Sequence, residues 1–133
     1  MNTLFKYAEP LFYISFGGLL YYIIEILYRG HSHYSMFLCG GTVFYCVSLL
    51  NRKYREKLPL IIRMLLCTFI ILSCELLFGI LFNLYLKMNV WDYSNLKYNY
   101  KGQICLTFSI YWFFLTIPLL FLEERIRAFF QEF

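Results

Sequence analysis

Four apolar blocks, each close to the length of a bilayer core and joined by short polar connections, leave this chain few ways to fold. The blocks, at about 10–28, 35–50, 58–86 and 104–122, approach or exceed the ~20 residues with which a helix crosses a hydrocarbon core ~30 Å thick. In lipid each backbone N–H and C=O must be satisfied within the segment, so the blocks are predicted as helices. Composition agrees: 61% of the 133 residues are hydrophobic and only 15% are charged, well outside soluble usage. The expected fold class is all-α, a four-helix transmembrane bundle with short loops and a C-terminal interfacial helix. It forms one integral membrane domain over 1–133. The segment Met1 to Lys6 is not followed by a short apolar region with a small-residue cleavage site, so the first span is expected to act as its own insertion signal.

The net charge of +4 does not point to nucleic acid, because the basic residues gather at the ends of apolar blocks and not along a soluble face. The densest run is Asn51-Arg52-Lys53-Tyr54-Arg55-Glu56-Lys57. Four spans place that loop and both termini on one side. Lys6, Arg63, Arg125 and Arg127 join it there, against Arg29, Lys87, Lys97 and Lys101 opposite. The positive-inside rule then makes both termini cytoplasmic.

Within the spans, Gly17-Gly18 and Gly40-Gly41 read as close helix-packing surfaces, and these are the surfaces expected to join copies of the chain into a homo-oligomer. Gly18, Tyr22, Glu25 and Arg29 share a helical face, with Glu25 one turn before Arg29 as an ion pair favours. The third block is longer than the bilayer core, so it is expected to tilt, break or begin as an interfacial segment with Arg63 snorkelling. Thr68, Leu72, Glu75, Gly79 and Asn83 form a semi-polar stripe on it. Pro118 is placed to kink the fourth block. From Glu123 onward the chain reads as a short amphipathic helix at the interface. The five cysteines show no C-x-x-C and no metal-ligand spacing; they read as packing residues, with Cys39 and Cys105 the pair near enough to one face to meet.

Candidate functional residues collect at the external end. An acid in an apolar span usually faces protein or water, so Glu25 and Glu75 read either as a carboxylate pair for cation or proton handling or as structural partners of Arg29 and a neighbouring helix. His31 and His33, in the connection Arg29-Gly30-His31-Ser32-His33-Tyr34-Ser35-Met36, suit a divalent ion, a pH response or plain exposure. Trp91, Asp92 and Tyr93 line a ligand entrance, or else form an aromatic belt with an aspartate helix cap. The belt does not explain why Asn83, Asp92, Asn95, Asn99 and Gln103 gather around one loop. No nucleophile elbow of the G-x-S-x-G kind is present, although acids, imidazoles and an arginine leave a lipid-modifying enzyme open as an alternative.

Gly17-Gly18, Tyr22, Glu25, the 29–36 connection, Gly40-Gly41, Glu75, Asn83, Trp91-Asp92-Tyr93-Ser94-Asn95, Asn99, Gly102-Gln103-Ile104-Cys105 and Trp112 together resemble the bacterial membrane proteins called "putative ABC-transporter type IV". The resemblance covers most of the chain, and its most specific parts are Trp-Asp-Tyr-Ser-Asn and Gly-Gln-Ile-Cys. It implies a permease component in the bacterial cytoplasmic (inner) membrane. There is no G-x-x-x-x-G-K-[ST] motif and no cofactor signature, and four short spans imply oligomerisation or partner membrane subunits. The expected ligand is a small polar molecule or ion held in an outward-facing cavity by Glu25, Arg29, His31, His33, Glu75, Asn83, Trp91, Asp92, Tyr93, Asn99 and Gln103. A structural accessory subunit is the remaining alternative.

Overall fold

The computed structural model describes residues 3–30 and 32–131. Helix α1 covers Thr3–Arg29, α2 Tyr34–Tyr54, α3 Leu60–Gly79 and α4 Leu106–Gln131. All four are long and apolar enough to cross a membrane. A π-helical turn, Ile80–Tyr85, continues α3, so the overlong third block is one uninterrupted helical segment from Leu60 to Tyr85. Between it and α4 lies a loop carrying a two-stranded hairpin, β1 Asn99–Tyr100 against β2 Ile104–Cys105.

The helices outrun the apolar blocks mainly at one end. Hydropathy detects only the part of a helix at hydrocarbon depth, whereas α2 and α4 carry on through Asn51, Arg52, Glu123 and Arg127, whose polar groups find partners inside the bundle. The segment from Glu123 onward, expected at the interface, is helical and runs on from α4 without a break. Arg63, expected to snorkel into water, is only 8% exposed. Its guanidinium donates to Asn51 Oδ1 at 2.8 Å.

Helix α2 is central. Over half of its apolar window is buried (56%), against 22%, 33% and 17% for α1, α3 and α4. Val43 and Val47 of α2 pack with Met64, Cys67 and Ile71 of α3 and Leu120 of α4. Helix α1 lies on the other side of α2, and the glycine pairs explain how closely. A Cβ at Gly17 would strike Phe44 Cβ and the Gly40 carbonyl; one at Gly40 would strike Tyr21 and the Gly17 carbonyl. The surfaces expected to join copies of the chain therefore face each other within it, because only paired glycines let two backbones approach so far. All five cysteines are unpaired, and four are buried. The outward faces carry the large apolar side chains, among them Leu27, Phe69, Leu77 and Phe121.

Candidate functional site

Glu75 lies at the centre of the bundle, on the inner face of α3 and 2% exposed. The Tyr21 hydroxyl of α1 donates to its Oε1 at 3.1 Å. Its second oxygen, Oε2, has no hydrogen-bond partner among the described residues, and neither has the buried indole N–H of Trp112 on α4. That N–H faces the same carboxylate without reaching hydrogen-bond geometry. The Tyr21 and Trp112 rings stack with centroids 5.4 Å apart, so two aromatic planes from opposite helices wall off the acid. A buried carboxylate with an acceptor left open carries a desolvation cost, which a small shift of the facing indole N–H toward it would reduce.

The stacked pair also lines a groove. Helices α1 and α4 meet at their terminal end, where Phe12 and Tyr13 touch Phe130, and at their loop end, where Tyr28 touches Phe108. Between these contacts the Tyr21–Trp112 stack bridges them, and cavities lie beside it. A mid-membrane cavity of about 200 Å³ is lined by Gly17, Tyr21, Phe44, Trp112, Pro118 and Leu119 among others. A loop-end cavity of about 230 Å³ adjoins it, sharing Ile24, Trp112 and Leu115 and adding Glu25, Tyr28, Tyr93, Phe108 and Tyr111. Glu25 is close enough to Glu75 for their charges to interact.

The other expected site residues divide between three places. Asn83, Trp91 and Gln103 form one buried network: Asn83 Nδ2 donates to Gln103 Oε1 at 2.8 Å, Val90 N–H donates to Asn83 Oδ1 at 2.7 Å, and Trp91 Nε1–H donates to the Gln103 carbonyl at 3.0 Å. This network pins the long loop over the end of the bundle. Asp92 and Asn99 shape the loop itself. Ser94 gives Asp92 Oδ1 both its N–H and its hydroxyl, and these donors hold the Asp92 carboxyl below the usual aspartate range. Asn99 receives the Gly102 N–H on its side-chain oxygen at 3.0 Å. Gly102 has positive φ, and a Cβ there would meet Asp92 Oδ1 at 2.7 Å. His33 caps α2, its Nδ1 accepting the Ser35 N–H at 3.1 Å. His31 and the side chain of Arg29 lie outside the described residues. Among the described residues, no three His, Cys, Asp or Glu side chains converge as metal ligands would.

One polar centre escaped the reading of the sequence. At the end bearing the termini, Glu123 of α4 is fully buried, accepting from Asn51 Nδ2 at 2.6 Å and Ser48 Oγ at 3.2 Å. Arg127 pairs with it at 3.2 Å. Arg52 binds Ser48 and pairs with Glu9, Arg55 pairs with Glu124 at 2.6 Å, and Arg63 reaches Asn51. All four helices are thereby tied together. Two signals pointed there: Arg63 stands within the third apolar block, and Thr116, Leu120, Glu123 and Arg127 fall at spacings of three and four, one face of a helix.

Four spanning helices around a walled-off acid, with polar networks at both ends, define a multi-pass membrane protein. More specifically, the chain belongs to the family described as "Putative ABC-transporter type IV", which it matches over residues 11–133. No curated protein and no solved structure matches it.

Proposed function

We propose that this chain is the membrane-embedded component of a transporter, and that it binds its ligand in the groove between α1 and α4 with Glu75 at the floor and Glu25 near the mouth. The observation that carries the reading is the buried Glu75, whose Oε2 has no hydrogen-bond partner among the described residues, behind Tyr21 and Trp112, which line the mid-membrane cavity. Natural structures rarely leave such groups unpaired without a purpose. The single 1–133 domain sits in the bacterial inner membrane, the basic end and both termini facing the cytoplasm as the charge distribution directs. Energy comes from a partner chain, because this one carries no nucleotide-binding motif, and copies or partner subunits complete the translocation path. Arg29 acts as counter-ion to Glu25. His31, His33, Trp91, Asp92 and Asn99 border the external entrance, while Asn83 and Gln103 hold it in shape.

The test is mass spectrometry of the protein purified in gentle detergent, wild type against Glu75→Gln, for co-purifying small molecules and partner chains. A molecule retained by the wild type and lost from the folded variant supports the groove. Identical contents in both overturn it.

A second reading, a structural accessory subunit, draws on the internal hydrogen bonds of Asn83, Asp92, Asn99 and Gln103. It is favoured if Glu75→Gln changes which partner chains co-purify and leaves small molecules unchanged.

A further inference from the structure

The end of the bundle that bears the termini carries more positive charge than its own acids absorb. Arg52 pairs with Glu9, Arg55 with Glu124 and Glu56, Arg63 with Glu124 at 3.8 Å, and Arg127 with Glu123. Lys53, Lys57 and Arg125 remain, all exposed and none with an acidic partner among the described residues. Orientation in the bilayer asks only that basic residues lie on one side. It does not ask that four arginines turn to internal acids while three other bases stay unpaired on the outside.

The surroundings of these three bases narrow what can meet them. Phe121, Arg125 and Phe129 are spaced by four along α4 and so share a face, and all three are exposed. The Arg125 guanidinium lies 5.3 Å from the centre of the Phe121 ring, close enough for the ring to hold it by a cation–π contact. Lys53 Nζ lies 5.4 Å from the centre of the Tyr54 ring. Lys57 stands just before the first turn of α3, where Leu60 and Ile61 are 46% and 53% exposed. The Arg55–Glu124 ion pair fastens the lysine-bearing connection to α4 one residue from Arg125. Apolar side chains exposed on a spanning helix face hydrocarbon, and a long basic side chain at their edge reaches to headgroup depth. A soluble anion would satisfy the bases and leave Phe121, Leu60 and Ile61 without hydrocarbon; a zwitterionic lipid would cover the apolar side chains and bring no net negative charge.

We infer that this end of the chain is a binding surface for anionic phospholipid, with lipid phosphates on Lys53, Lys57 and Arg125 and acyl chains against Phe121, Leu60 and Ile61. Arg125 offers a phosphate the planar donor fork of a guanidinium, and the two lysines act as point charges. The assignment needs only the spanning helices and the charge pairing at their basic end, so it stands or falls apart from the groove between α1 and α4.

The experiment titrates the delipidated full chain in detergent with dioleoylphosphatidylglycerol or dioleoylphosphatidylcholine and counts bound lipids by native mass spectrometry. Phosphatidylglycerol is expected to bind about tenfold or more tighter than phosphatidylcholine, since each base near a headgroup surface is worth about fivefold. Lys53→Gln, Lys57→Gln and Arg125→Gln should each lower that preference by about two- to fivefold, and the triple variant should abolish it. Lys97→Gln, at an exposed position at the other end of the bundle, should leave it intact. The unfolding midpoint in detergent reports whether the triple variant folds, and the single variants decide the matter if it does not. Equal binding of the two lipids by the wild type, or an undiminished preference in the folded triple variant, overturns the assignment. Glycerol 3-phosphate separates the sources: no competition with phosphatidylglycerol supports a lipid ligand, and competition at equal concentration overturns it in favour of a free phosphate ester. Loss of a co-purifying acidic chain from a triple variant that keeps its lipid preference gives the surface to a protein partner and likewise overturns the assignment.

Discussion

The Tyr21 hydroxyl and Glu75 Oε1 are 3.1 Å apart, and theirs is the polar contact that joins α1 to α3 across the middle of the bundle. Tyr21→Phe keeps the ring stacked on Trp112 and removes only the donor, leaving both oxygens of a buried carboxyl without one among the described residues. A lost partner of this kind costs about 1–3 kcal/mol. We expect a lowered midpoint of thermal unfolding in detergent for Tyr21→Phe, and a smaller change for Tyr21→Phe combined with Glu75→Gln than for the two changes added.

Gly17 and Gly40 face each other between α1 and α2. Gly17→Ala must push the helices apart, an overpacking cost of about 1–3 kcal/mol. Gly30→Ala, which meets no neighbour within 4 Å but has a φ of +82°, should cost about 1 kcal/mol through backbone strain alone. Oligomer size, read by native mass spectrometry, should be unchanged in Gly17→Ala, because the glycine seam is internal. Loss of an oligomer in that variant would place the seam between copies.

Glu123 is enclosed by Asn51, Ser48 and Arg127. Glu123→Ala strands their donors and is expected to cost about 3–5 kcal/mol, the range for breaking a buried ionic contact. Glu123→Gln, which keeps one acceptor for Asn51, should cost less. Arg55→Ala, at a solvent-exposed pair with Glu124, should change chemical unfolding little, since exposed ion pairs contribute weakly.

Asp92 supplies a pH dependence. Donors from Ser94 lower its folded pKa below the ordinary 3.8. The charged carboxylate therefore steadies the loop in full above that value, and the contribution is lost as pH falls through the lowered folded value. The Ser94 amide resonance should hold its position from neutral pH to about pH 5 and move only in stronger acid. In Asp92→Asn it should be shifted at every pH.

The bundle was legible in the sequence because hydrocarbon depth leaves its mark in each block, and Glu75 stood out because an acid in such a block is conspicuous. What lay beyond reach depended on pairing across helices. Glu123 and Glu124 read as interfacial because they follow the last apolar stretch, and only the approach of Asn51, Ser48 and Arg63 from α2 and α3 makes their end of α4 an interior. The glycine pairs announced a close contact without saying with whom. Asn83, Asp92, Asn99 and Gln103 were correctly placed around one loop, yet their hydrogen bonds to the loop backbone could not be told in advance from free polar groups awaiting a ligand.

The groove between α1 and α4 is tested most directly by filling it while leaving Glu75 untouched. Leu119→Trp places an indole in the mid-membrane cavity, and Phe69→Trp, at a 70% exposed position on the outer face of α3, is the matched control. Native mass spectrometry of each purified protein then reads ligand retention. We expect Leu119→Trp to lose the bound molecule and Phe69→Trp to keep it. Full retention by a folded Leu119→Trp protein would contradict a ligand site between these helices.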